Sequence, residues 1–129
     1  MIKGNLRILL VEDHPFQLLA TQCLLESYGF TRLTTSNCAQ GALEHMLGAD
    51  HPFDILLCDQ CLPDFSGIDL VRLASRKGMI KQAILLSSLT STELDELKGK
   101  AHLQNLPLLG YLAKPLNHSE FIKLLTTTL

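Results

Sequence analysis

Residues 53–70, FDILLCDQCLPDFSGIDL, carry the reading that decides the fold. The run 53–58, with Ile55, Leu56 and Leu57 at its centre, is too continuously apolar for a strand with one wet face. It reads as a strand covered on both sides. The run ends at Asp59, and Pro63 and Gly67 mark a loop. Ser66 is placed to cap a helix, along which Ile68, Leu70, Val71, Leu73 and Ala74 form an apolar stripe. A buried strand leading through a short loop into an amphipathic helix is half of a crossover between parallel strands.

The same alternation extends in both directions. On the N-terminal side, residues 6–11 (LRILLV) make a second doubly covered strand that ends in Glu12 and Asp13. Pro15 suits the first turn of a helix. Phe16, Leu19, Ala20, Cys23 and Leu24 recur as one apolar face, the kind a helix turns to its core, and Gly29 is a plausible stop. Residues 32–35 read as a weaker strand. Asn37 with Gln40 resembles a cap and its return partner ahead of the stripe Ala39, Ala42, Leu43, Met46 and Leu47.

On the C-terminal side, residues 83–86 (AILL) are a fourth strand. Thr90 and Glu93 form a capping-box pattern for a helix carrying Leu94, Leu97 and Ala101. Residues 108–113 supply a fifth strand, and Asn117 with Glu120 opens a last helix with the stripe Phe121, Leu124 and Leu125. Five strands separated by helices predict an α/β fold, a doubly wound parallel sheet with helices on both faces.

Composition agrees with one compact domain over residues 1–129. A chain of this length buries roughly two-thirds of its unfolded surface and needs no metal or disulfide staple. Net charge is −2, with acids and bases scattered, so no Lys/Arg run offers a nucleic-acid or anionic-membrane patch. The longest apolar runs are too short to cross a bilayer, and the N-terminus lacks the apolar stretch of a secretory signal. Cys23, Cys38, Cys58 and Cys61 do not make a small disulfide framework in a chain of this size. A reduced, cytoplasmic setting is the expectation.

In open parallel sheets, ligands sit beyond the carboxyl ends of the strands, where strand order reverses. The residues at those ends are Glu12 and Asp13, Asp59, Ser87 and Lys114. Singly, each has an ordinary explanation: strand-end solvation or capping for the acids, a turn for Asp59, a cap for Ser87, a solvated chain for Lys114. Together, three carboxylates at one sheet end call for a cation. A hard oxygen site with room for water suits Mg2+. Lysine and a serine hydroxyl add the donors that meet phosphoryl oxygens, and a carboxylate can itself accept the phosphoryl group.

At these residues the chain resembles a response regulator receiver domain of two-component signalling. The likeness rests on LLVEDHP with Glu12 and Asp13, DILLCDQCLPDFSGIDL around Asp59, ILLSS with Ser87, and GYLAKPL with Lys114 and Pro115, in the right order. The resemblance implies a flavodoxin-like sheet of order 2-1-3-4-5. It implies that Asp59 takes a phosphoryl group from a histidine kinase or phosphotransfer protein. Asp13 and Asp59 would then ligate Mg2+ with the backbone carbonyl of Cys61, and Glu12 would act mainly through water.

The resemblance further implies that Lys114 and Ser87 contact the phosphoryl group and that the bond before Pro115 is cis. Ser87 and Tyr111 become the switch residues, biasing a surface formed by the fourth helix, fifth strand and fifth helix. That surface would control an output domain or effector protein and offers a route to a homodimer. Direct contact with nucleic acid or membrane is not expected of this domain. The resemblance implies no enzyme but a signalling domain that catalyses only its own phosphorylation and slow dephosphorylation.

The chain departs from the family pattern in four places. Position 88 is Ser where Ala or Gly is usual; it is still small enough to leave Asp59 accessible. Cys61 and Leu89 stand where the family flanks the hydrolytic water, and neither orients water strongly, so phosphate loss should be slow. The stretch from Ser87 to Lys114 is longer than the pattern by several residues, placed in 100–109 (KAHLQNLPLL), as either a tolerated insertion or a specialised partner contact. Ser87 replaces a common Thr and keeps the hydroxyl.

Rival chemistries are weaker. Cys58-Asp59-Gln60-Cys61 matches C-x-x-C, but Cys58 ends a strand rather than opening a helix, as a redox thiol requires. A zinc site with His45 or His51 lacks a second close pair of ligands. His14 adjoins the acidic pair and reads as a surface histidine at a helix start. A dehalogenase-type hydrolase places a second Asp two residues after its nucleophile, and position 61 is Cys. A pseudo-receiver that only docks partners would not need the complete acceptor set.

Overall fold

A computed structural model describes residues 3–87, Asp95, Gly99 and 105–126. After a short 3-10 turn at Lys3–Asn5, the elements alternate. They are β1 (Arg7–Val11), α1 (Pro15–Ser27), β2 (Arg32–Ser36), α2 (Ala39–Gly48), β3 (Phe53–Asp59), α3 (Gly67–Arg76), β4 (Ile80–Ser87), β5 (Leu108–Ala113) and α4 (His118–Thr126). The helix expected over residues 90–101 lies outside the described residues apart from Asp95 and Gly99, which are helical. Among the described residues, no helix is long and apolar enough to cross a membrane.

The five strands form one sheet in the order β2-β1-β3-β4-β5, every neighbouring pair parallel. Because side chains alternate along a strand, each central strand feeds two cores. Ile8, Leu10, Ile55, Leu57, Ile84 and Leu86 pack with Leu25 of α1 and with Phe121 and Leu125 of α4. Leu9, Val11, Leu56, Cys58, Ala83 and Leu85 pack on the opposite face with residues of α2 and α3. The sheet is therefore covered on both sides, as its unbroken apolar runs require. β4 begins at Ile80, earlier than the apolar run 83–86 suggests, because Phe53 pairs with Ile80 across the start of β3.

Three local expectations are corrected. The face of α1 carrying Phe16, Leu19, Ala20 and Cys23 is exposed, with Phe16 at 88% and Leu19 at 59%; Leu25 is the fully buried residue of this helix. α1 is apolar nearly all round, so periodicity alone does not say which side meets the sheet. The cap of α2 is Cys38, not Asn37: Cys38 is extended, and its Sγ accepts the Gly41 N–H at 3.4 Å. Leu47, the last residue of the α2 stripe, is exposed at 68%, while Ala39, Ala42 and Met46 are buried.

Two caps follow the sequence, while Thr90 and Glu93 lie outside the described residues. Ser66 Oγ accepts the Asp69 N–H, and Asn117 Oδ1 accepts the Glu120 N–H.

Candidate functional site

Strand register assembles the site. Val11 pairs with Cys58, Asp59 with Leu86, and Ser87 with Ala113. The residues that end or follow β1, β3, β4 and β5 are thereby brought to one edge of the sheet. Alternation also sorts their faces. Asp59 follows the parity of Leu57, and Glu12 that of Leu10, so both lie on the side covered by α1 and α4.

Lys114 joins the two carboxylates. Its Nζ donates to Asp59 Oδ2 at 2.9 Å and lies 3.2 Å from Glu12 Oε2. Glu12 and Asp59 are buried, and Lys114 is partly so. Burial and then the Asp59 charge push the Glu12 carboxyl upward, against the pull of Lys114 and of the His14 N–H. For Lys114, burial opposes the ammonium form, but the hydrogen bond and charge of Asp59, with those of Glu12, outweigh it; the net shift is upward. The lysine therefore stays charged, as a half-buried cation beside two acids should. The Lys114–Pro115 peptide bond is cis.

The loop after β3 fixes the other side of Asp59. Its Oδ1 accepts the Cys61 N–H at 3.1 Å. Gln60 is held by three bonds: its N–H to Leu86 O, its carbonyl from the Gly67 N–H, and its Oε1 from the Ile68 N–H at 3.0 Å. Gly67 allows this closure, since a Cβ there would lie 2.6 Å from Asp59 O and 2.9 Å from Gln60 Cα. Asp64, further along the loop, accepts the N–H groups of Ala39 and Gln40 and ties the loop to α2.

Cys58 is fully buried, and its Sγ donates to Asp59 O. Burial, then the charges of Asp59 and Glu12, raise its thiol well above the usual range despite Lys114. A thiolate is disfavoured there, which argues against Cys58 as the reactive thiol of a C-x-x-C pair. The remaining sequence candidates sit as follows. Ser87 is buried at the end of β4; Tyr111, on β5, is half-buried against the α2/α3-side core. Positions 88 and 89 lie outside the described residues.

Asp13 tests whether a cation suits the site. Its Oδ1 is buried and accepts no hydrogen bond from any of the described residues, and His14 Nε2 lies 3.9 Å away, beyond bonding distance. An orphaned carboxylate oxygen beside a buried acid is what a hard cation satisfies. Ligand atoms of Glu12, Asp13 and His14 lie within 4.8 Å of one another. His14 is exposed, and the oxygen donors Glu12, Asp13 and Asp59 fit Mg2+ better than a nitrogen ligand would. The sequence reading missed Gln17, whose Oε1 accepts from Lys114 at 3.2 Å, as well as Gln60 and Asp64. All three act through neighbours distant in sequence or through side-chain bonds that no local pattern marks.

Comparison with known proteins agrees with this arrangement. Residues 8–126 match the family described as the response regulator receiver domain. The cell cycle transcriptional regulator CtrA of Caulobacter vibrioides is 32% identical over 120 residues, 91% of this chain and 47% of the relative. The transcriptional regulatory protein KdpE of Mycobacterium tuberculosis is 30% identical over 115 residues, 89% of this chain and 47% of its own. The chain thus spans about half the length of these relatives.

Among solved structures, a receiver domain protein from Clostridium thermocellum superposes with a TM-score of 0.77 at 21% identity, over 95% of this chain and 92% of that one. The chemotaxis regulator CheY4 of Vibrio cholerae does so with a TM-score of 0.72 at 26% identity, over 96% and 98%. With the parallel sheet of order 2-1-3-4-5 and the acidic, lysine-bridged strand ends, these likenesses place the chain in the response regulator receiver domain family of two-component signalling.

Proposed function

We propose that residues 1–129 act as one receiver domain that accepts a phosphoryl group on Asp59 from a phosphohistidine of a histidine kinase or phosphotransfer protein. The observation that carries this reading is the Lys114 ammonium, 2.9 Å from Asp59 and 3.2 Å from Glu12, at the carboxyl edge of a parallel sheet. In the transfer, an Asp59 carboxylate oxygen forms the new bond to phosphorus and the donor's P–N bond breaks. The imidazole leaves with the electron pair and takes a proton. Lys114 meets the charge on the phosphoryl oxygens, and the Ser87 hydroxyl supplies a further donor.

Asp13, Asp59 and the Cys61 carbonyl would hold Mg2+, with Glu12 acting mainly through water. Bound there, the ion would neutralise carboxylate and phosphoryl oxygens. The new dianion on Asp59 would bias Ser87 and Tyr111, and through them the surface built on β5, the helix before it and α4. That surface would address an output domain or effector protein, or a second copy of the chain. The exposed Phe16, Leu19 and Cys23 stripe of α1, the helix that also carries Gln17, would give a donor protein an uncharged surface to rest on.

Incubation with Mg2+ and acetyl phosphate tests the reading. Intact mass should rise by one phosphate on the wild type and not on Asp59→Asn. No gain on the wild type would overturn it.

A further inference from the structure

The site contains a polar side chain that the strand ends do not supply. Lysine has three N–H donors and no acceptor. Lys114 spends them on Asp59 Oδ2 at 2.9 Å, Glu12 Oε2 at 3.2 Å and Gln17 Oε1 at 3.2 Å. Glu12 and Asp59 bring charge; Gln17, from the first turn of α1, brings direction without charge. Since the ammonium cannot accept, the amide oxygen of Gln17 must be the atom facing it. Gln17, Glu12 and Lys114 also border one cavity of about 260 Å3 beside the site, so the lysine is not packed tightly from that side.

We infer that Gln17 is a positioning residue for Lys114, an inference that rests on the reading of Asp59 as acceptor. Transfer converts the Asp59 carboxylate into an acyl phosphate, and Lys114 must then turn one N–H to a phosphoryl oxygen. Glu12 and Gln17 keep the other two donors and hold the ammonium at the site through the change. Lysine is a flexible point charge on a four-carbon stem, so a fixed third acceptor limits where that charge stands. The Lys114–Gln17 bond spans 97 residues of sequence, and α1 reaches it only because β1 and β5 end at the same edge.

The test compares wild type, Gln17→Leu, Lys114→Ala and the double variant, each with Mg2+ and acetyl phosphate, following intact mass against time. Gln17→Leu should slow phosphate uptake about three- to tenfold, the scale of one partly exposed hydrogen bond to a charged group. The double variant should be no slower than Lys114→Ala alone, because the glutamine acts through the lysine. Thermal midpoint should stay within about 1 °C, as Gln17 is exposed.

Should Lys114→Ala react too slowly to time, the Lys114 ammonium nitrogen resonance gives a second readout, and it should move in Gln17→Leu. Uptake by Gln17→Leu at the wild-type rate overturns the inference. So does a Gln17→Leu effect that multiplies with that of Lys114→Ala, or an unmoved lysine resonance. Failure of the wild type itself to take phosphate brings down the Asp59 reading, a result distinct from these.

Discussion

Asp64 accepts backbone N–H bonds from Ala39 and Gln40, both at 3.0 Å, and so serves as a cap for a helix that begins 25 residues earlier in the chain. Burial nudges its carboxyl up, but the bonds from Ala39, Gln40 and its own N–H prevail and hold it below the usual carboxylate range. A carboxyl depressed by folding stabilises the fold above its unfolded pKa, and that contribution is lost as pH falls through the folded value. Asp64→Ala should cost about 1 kcal/mol at neutral pH by urea unfolding, and the gap should shrink as pH falls below the unfolded value of about 3.9. A gap that stays constant would mean the charge is not what caps α2.

Tyr111 runs the other way, its hydroxyl pushed up to about 12 by burial. Folding favours its neutral form, so the contribution is complete below about pH 10 and fades as pH rises toward the folded value. In a Tyr28→Phe background, alkaline absorbance titration should find the Tyr111 midpoint near 12, and a midpoint near 10 would deny the burial.

At the scale of elements, α1 and α3 teach opposite lessons. The α3 stripe Ile68, Leu70, Val71, Leu73 and Ala74 is set against Asp69, Arg72 and Arg76, so its inner face is plain from the sequence, and all of it but the half-buried Leu73 is buried. α1 (PFQLLATQCLLES) carries one charged residue, Glu26, and two apolar sides. The longer apolar series led outward to Phe16 and Leu19, while the core took Leu25. Only the direction of the chain leaving β1 settles that choice, and direction is a tertiary fact.

Leu25→Ala should therefore cost about 2–5 kcal/mol, while Phe16→Ser should stay within roughly 0.5 kcal/mol, both read from denaturant midpoints. Equal losses would place both faces in the core. The same division governs the site. Glu12, Asp59, Ser87 and Lys114 are marked by standing next to apolar runs, whereas Gln17 and Asp64 become partners only once helices have docked.

Across the whole molecule, β1, β3 and β4 are interior strands and β2 and β5 are edges. Backbone amides of residues 8–11, 55–58 and 83–86 should accordingly exchange slowest with deuterium, and those of β2 fastest among the strands. Uniform exchange across the sheet would contradict a two-sided core. The site inherits its dependence on this order, since Lys114 meets Asp59, Glu12 and Gln17 only across long spans of sequence.

The bond from Lys114 to Asp59 closes a span of 55 residues. On a ribosome, Asp59 emerges well before the lysine that is to serve it, and β5 is the last strand to arrive. A chain that has not yet reached β5 thus carries Asp59 without its cation, and so does one cut short before β5. On the reading of Asp59 as acceptor, competence to take up phosphate would therefore arrive with β5 and Lys114 and not before.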